Sequence, residues 1–170
     1  LASDLAATVR AREGSGGLPE AVVKGYVFRL LTGVAHLHAH GVVHRDLKPA
    51  NVLVGDKGEV KLADFGLARL LEEEDGRGEG RPMTHQVATR WYRAPELLYG
   101  ATRYGLAVDM WAVGCILAEL LRPGPLFPGE NDIDQLYTVL HALGTPSEET
   151  WPGLSALPDY QKITFPTMPG

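Results

Sequence analysis

Val23, Tyr26, Val27, Leu30, Leu31, Val34 and Leu37 recur at the three- and four-residue intervals that put side chains on one face of a helix. Pro19 suits the first position of that helix, where no N–H is needed, and Gly41 suits its end. A shorter helical pattern over 4–12 precedes it and is broken by Glu13-Gly14-Ser15-Gly16-Gly17. Beyond Gly41 the period changes. Val52-Leu53-Val54 and Glu59-Val60-Lys61-Leu62 are β-prone runs joined by Gly55-Asp56-Lys57-Gly58, which predicts a hairpin. Residues 67–93 keep no period, and Glu72-Glu73-Glu74-Asp75 followed by Gly76, Gly78 and Gly80 predicts a mobile acidic loop. Helical spacing returns over 106–121 and 132–143, on either side of a Pro/Gly-rich segment at 122–129. No internal repeat is visible, and the final Thr167-Met168-Pro169-Gly170 carries neither period. The expected class is α+β, mainly α, with one small β-hairpin.

Composition narrows the reading. With 45% hydrophobic and 22% charged residues among 170, the chain has the material for one core and is not a disordered tail. A formal net charge of −5 argues against a general nucleic-acid binder. The longest apolar stretch, 111–121, is shorter than a bilayer span and carries Glu119, and no basic-then-apolar leader opens the chain. Neither membrane insertion nor export is expected. The single cysteine, Cys115, cannot form an internal disulfide, which suits a reducing, intracellular compartment. The first residue is Leu1, without an initiator Met, so a piece of a longer protein is expected.

Candidate chemistry lies in three blocks of fixed order: His44-Arg45-Asp46-Leu47-Lys48-Pro49-Ala50-Asn51, then Asp64-Phe65-Gly66, then Ala94-Pro95-Glu96. Any one triplet arises by chance; the eight-residue block, the hairpin after it and both later triplets in order do not. On these residues the chain resembles a eukaryotic Ser/Thr protein kinase. Leu143-Gly144-Thr145-Pro146 with Trp151-Pro152 resembles the cyclin-dependent kinase branch. Within it, Thr84-His85-Gln86-Val87-Ala88-Thr89-Arg90-Trp91-Tyr92-Arg93 and Leu126-Phe127-Pro128-Gly129 resemble the cell-cycle-related kinase subfamily. The resemblance spans residues 1–170 and implies a partial catalytic domain. It would run from the hinge through most of the C-terminal lobe, with the N-terminal lobe and the last C-lobe helices absent.

Phosphoryl transfer needs an acceptor hydroxyl aimed at the γ-phosphorus and negative charge spread onto metal and cations. The resemblance makes Asp46 the base and aligner of that hydroxyl. Lys48, on the same loop, would reach the transferred phosphate and offset its charge. Asn51 and Asp64 lie at opposite ends of the hairpin, which folds them towards one point, and their hard oxygens suit Mg²⁺ beside ATP. Leu53 matches the floor of the adenine pocket and Asp4 the ribose edge. Arg45 and Arg69 match arginines that gather a phosphate from the activation segment, with Thr84 as the acceptor of that phosphate. Thr89 would tie the following strip to Asp46 and Lys48, its β-branched stiffness holding the hydroxyl inward. Arg93 matches the residue that occupies a backbone carbonyl of the strip in proline-directed kinases. A substrate proline, having no N–H to donate, then leaves nothing unpaired. Asp109, in a buried helix, is implied to bond the catalytic-loop backbone, and Glu96 to pair with an arginine downstream of Gly170.

Other signals carry less. His36 and His40 could face one way as metal ligands, but no third ligand stands at suitable spacing, and a solvated helix end is expected for His36, His38 and His40. The glycine runs at 14–17 and 76–80 follow no strand and lack the lysine of a phosphate loop, so both are expected to be linkers. Upstream of Asp46 the only lysine is Lys24, on the long helix; the family's glycine loop and nucleotide-anchoring lysine are not in the sequence. Two readings follow. One is a fragment of a Ser/Thr kinase that uses ATP and Mg²⁺ on protein substrates, with Ser or Thr followed by proline. The resemblance implies for it a cyclin or cyclin-like activator, an upstream activating kinase, and a place in cytoplasm, nucleus or cilium. The other is a kinase-derived binding module without catalysis. Intact Asp46, Lys48, Asn51 and Asp64 favour the first, although the isolated chain is expected to bind ATP weakly and transfer little, its cleft being open to water.

Overall fold

The computed structural model describes residues 3–14, 16–71 and 89–170. The predicted acidic loop and Thr84 lie outside them. At the centre is α4 (Ala107–Leu121), a helix apolar on most of its circumference, with Val108, Ala112, Val113, Cys115, Ile116 and Leu120 all buried. Against it packs α2 (Glu20–Ala39), which contributes Val23, Leu30 and Val34 to the same core. Each fully buried Leu of this kind contributes about 1.5–3 kcal/mol relative to an exposed one. A second cluster joins Leu136 and Leu140 of α5 (Asp132–Leu143) to Leu98, Tyr99 and Leu154. Asn131 caps α5 by accepting the N–H groups of Ile133 and Asp134 at 3.1 and 3.0 Å.

Around this helical body are two small antiparallel sheets. In one, β1 (Ser3–Asp4), β3 (Val52–Val54) and β4 (Val60–Leu62) lie in the order β1-β3-β4, with Val52 opposite Leu62 and Asp4 opposite Leu53. The β3–β4 hairpin is the one predicted from sequence. In the other, β2 (Val42–Val43) pairs with β5 (Arg69–Leu70), with Val43 opposite Arg69. The two-residue strands are too short to show a period of two, so tertiary pairing alone defines them.

The helical expectations hold with small shifts. The first helix, α1 (Leu5–Arg10), is shorter than 4–12 because Asp4 is its N-cap, accepting the Ala7 N–H at 2.7 Å. Pro19 stands just before α2 with an extended ψ of 138°, rather than as its first residue. The one-turn helix α3 (Pro95–Leu98) was not anticipated. Among the described residues no helix is long and apolar enough to cross a membrane.

Gly129 has no room for a side chain, since an added Cβ would overlap the backbone of Gln135. The Gln135 Oε1 also accepts the Gly129 N–H at 3.0 Å, which ties the 122–129 segment to α5. Gly129→Ala is expected to cost about 1–3 kcal/mol through overpacking, read as a lower midpoint in urea denaturation. An unchanged midpoint would show that this junction is looser than drawn.

Candidate active site

The loop over residues 44–51 leaves β2 and is held from below by α4. Asp109, only 1% exposed, accepts the backbone N–H of Arg45 on Oδ1 and that of His44 on Oδ2, each at 2.9 Å. His38 Nε2 lies 2.9 Å from the same Oδ2. His38 is therefore not the solvated helix-end residue expected from sequence: from the end of α2 it holds the carboxylate that holds the loop. His36 and His40 do stay at the helix end, their rings 4.5 Å apart. Among the described residues no group of three or more His, Cys, Asp or Glu side chains is arranged to hold a metal. The support is needed because Arg45 sits at φ 68°, a left-handed conformation that a side chain disfavours.

His44 is fully buried and links the loop to the far end of the hairpin. Its Nδ1 accepts the Asp46 N–H at 3.3 Å, so Nε2 carries the proton and donates to the Ala63 carbonyl at 3.0 Å. The Phe65 ring lies 5.0 Å from it. Hairpin pairing continues past the strands, with the Ala63 N–H donating to the Asn51 carbonyl at 2.9 Å. Asn51 and Asp64 thus emerge at the same end of the hairpin.

Four donors converge on the Asp46 carboxylate. Thr89 contributes its N–H at 3.0 Å and its hydroxyl at 3.3 Å to Oδ1. Lys48 Nζ at 2.7 Å and Asn51 Nδ2 at 3.0 Å share Oδ2. Asn51 Nδ2 also donates to the Asp46 carbonyl at 2.8 Å. Asp46, Lys48, Asn51 and Thr89 form one connected cluster. Asp64 is exposed at the hairpin exit, at φ 61°, with Oδ1 accepting the Gly66 N–H at 3.3 Å.

The remaining predicted residues fall into three places. Asp4 and Leu53 face each other across β1–β3. Arg45 directs Nε to the Leu67 carbonyl at 2.6 Å and one Nη to the Tyr104 hydroxyl at 2.9 Å, while Arg69 stands exposed on β5. Arg93 donates to Asp132 Oδ1 at 3.0 Å. The strip expected to offer Arg93 a backbone carbonyl begins at Val87, and its residues 87 and 88 lie outside the described residues. Sequence reasoning gave no role in the site to His38, Tyr104, Glu119 or Asp132, none of which belongs to a recognisable short motif.

Tyr92 donates to Glu119 Oε2 at 2.6 Å inside the core, beside Cys115. Burial raises Glu119 above the usual carboxylate range, against the opposing effect of the Tyr92 hydroxyl. Burial also pushes the Cys115 thiol up to about 12, with the Glu119 charge adding to it, so the thiol is inert at neutral pH. A carboxyl raised in the folded state keeps its proton longer there than in the unfolded chain. Its contribution to stability is fully present below the ordinary value of 4.5 and is lost as pH rises through the folded value. Glu119→Gln keeps an acceptor for Tyr92 and should flatten this decline. Melting temperatures from pH 4 to 8 should show the variant gaining on the parent as pH rises, and parallel curves would contradict it.

Glu96 is likewise raised by burial and makes no ion pair among the described residues. It lines a cavity of about 790 Å³ between α3, α5 and the C-terminal segment, which none of residues 44–51 lines.

The sequence pattern of the protein kinase domain matches residues 2–162. The chain belongs to the protein kinase domain family. Among its relatives in this kinase family are cyclin-dependent kinases. Cyclin-dependent kinase 20 of Rattus norvegicus is 58% identical over 165 residues, covering 97% of this chain and 46% of the relative. Cyclin-dependent kinase 7 of Carassius auratus is 54% identical over 153 residues, covering 90% of this chain and 42% of the relative. Among solved structures, a chain of the yeast RNA Pol II CTD kinase CTDK-1 complex superimposes with a TM-score of 0.90 at 34% identity, over 99% of this chain and 54% of that one. The chain spans about half the length of the curated relatives it matches. The α+β, mainly helical kinase lobe expected from sequence is the one observed.

Proposed function

We propose that the protein carrying this chain transfers the γ-phosphate of ATP to Ser or Thr of proteins, with proline following the acceptor. The observation that carries the reading is the Asp46 carboxylate, held from one side by Thr89 and from the other by Lys48 and Asn51. An incoming hydroxyl that displaces Lys48 from Oδ2 would find an oriented acceptor for its proton, and the freed ammonium would turn to the transferred phosphate. The oxygen donors fit Mg²⁺. Asn51 Nδ2 is committed to Asp46, which leaves the hard carbonyl oxygen for a cation, and Asp64 offers a second oxygen at the hairpin exit. Bound there, the ion would neutralise phosphate charge. Asp4 and Leu53, paired across β1–β3, are the residues proposed for ribose and adenine.

Arg45 and Arg69 are proposed to receive a phosphate on Thr84, added by an upstream kinase, and a cyclin-like partner is proposed for the whole protein. The name of the yeast CTD kinase complex supports a multi-subunit setting. The isolated chain is proposed to be nearly inactive, because Lys24, the only lysine before Asp46, is engaged with Glu20 at 2.7 Å on the exposed face of α2. A positional peptide library on the complete kinase tests the substrate class. A rate at least about tenfold higher for proline than for alanine after the acceptor is expected, and equal rates would refute the proline-directed reading.

A further inference from the structure

Residues 89–93, which follow the activation segment, meet the body of the protein at three points. Thr89 is bonded to Asp46 and Tyr92 to Glu119, and the third point is the start of α5. The turn Arg90–Tyr92 is a 3-10 turn, with the N–H groups of Tyr92 and Arg93 bonded to the carbonyls of Thr89 and Arg90 at 2.9 and 3.0 Å. At three residues per turn, side chains three apart eclipse one another. Arg90 and Arg93 therefore emerge on the same side, and both reach one oxygen. Arg90 Nε lies 2.9 Å and an Arg93 Nη 3.0 Å from Asp132 Oδ1. Arg90 adds a bond to the Glu130 carbonyl at 3.2 Å, and Trp91 Nε1 one to the Gly129 carbonyl at 3.1 Å.

We propose that Asp132 is a positioning residue for substrate: by binding Arg90 and Arg93 together it sets residues 89–93 against Asp46, and with them the surface that meets the residue after the acceptor. The inference deepens the phosphoryl-transfer reading above and rests on it for its consequence in catalysis. Two guanidinium groups brought side by side repel each other unless an anion lies between them, so the turn itself creates the need for a carboxylate here. An exposed ion pair would do little, but the Arg93 side chain is only 10% exposed, and charge-assisted bonds from two arginines to one carboxylate form a network rather than a single contact. Thr89 is the residue before Arg90, so loss of the Asp132 contact loosens the turn next to the Thr89 N–H that orients Asp46. Asp132 also opens α5, where a negative charge favours the helix N-terminus. Asp134, in the same first turn, shares that effect but bonds the Glu130 N–H and neither arginine, which makes it the control.

The test has two arms. In the 170-residue chain, Asp132→Asn should speed amide exchange at Thr89, Tyr92 and Arg93 by about tenfold while α4 and the catalytic loop stay protected, and Asp134→Asn should not. In the complete kinase, Asp132→Asn should raise the peptide KM by about fivefold or more with the ATP KM unchanged and lower the proline-over-alanine ratio, Asp132→Glu recovering part of each. Combining Asp132→Asn with Arg90→Gln should cost less than the sum of the two single changes. Unchanged exchange at 89–93 together with an unchanged peptide KM overturns the proposal, as does an equal response from Asp134→Asn. A parent enzyme without proline preference refutes the substrate reading alone, and the exchange and KM results still decide the role of Asp132.

Discussion

Replacing Asp109 by alanine is expected to destabilise the chain by about 3–5 kcal/mol and to release the loop over residues 44–51. The carboxylate is 1% exposed, and its two oxygens hold the N–H groups of His44 and Arg45 and the His38 ring. Without it three donors in or beside the core lose their partner at once. Arg45 loses in addition the contact that keeps its backbone at φ 68°, a conformation costing about 1–3 kcal/mol wherever the surroundings do not enforce it. Asp109→Asn retains one acceptor oxygen and should fall between the parent and the alanine variant. Urea denaturation followed by circular dichroism measures all three, and a loss below about 1 kcal/mol for Asp109→Ala would mean that water replaces the carboxylate. The test needs no nucleotide and is made on the chain as it stands.

Asp46→Asn in the complete kinase is expected to lower kcat by about 10²–10⁴ while leaving the KM for ATP within a few-fold of the parent. The amide is nearly the same size, so the loop should survive; what changes is the chemistry at Oδ1 and Oδ2. An amide cannot accept the hydroxyl proton. It also presents an N–H₂ either to the Thr89 donors or to Lys48 and Asn51, so one of the two pairs faces a donor instead of an acceptor. Single-turnover measurements separate the chemical step from binding. Activity within tenfold of the parent would remove Asp46 from its proposed role, whereas a rise in the ATP KM alone would move it to nucleotide binding.

The legibility of this protein in its sequence depends on the distance over which each feature is encoded. The long helix, the β3–β4 hairpin and the two later helices were readable because each is announced by its own local period and its own Gly or Pro boundaries. The cluster Asp46, Lys48, Asn51 was readable for a similar reason, since its members lie within six residues on one loop. Thr89 joined it through family resemblance and then proved to be bonded to Asp46, 43 positions earlier. The β2–β5 pairing escaped notice because a two-residue strand has no period and exists only where its partner is delivered to it.

By itself the sequence determined the helical framework, the hairpin that carries two of the chemical blocks, and the residue types those blocks contain. Only the tertiary structure decided which residues brace them. His38 and Asp109 are 71 positions apart, Tyr92 and Glu119 are 27, and Arg93 and Asp132 are 39. A histidine near a helix end or an aspartate at a helix start satisfies its local rules equally well whether or not a distant partner arrives. Periodicity and capping act within a turn or two of the chain. Ion pairs and buried hydrogen bonds act within a few ångströms of space, and it is the packing of α2, α4 and α5 that turns one kind of nearness into the other.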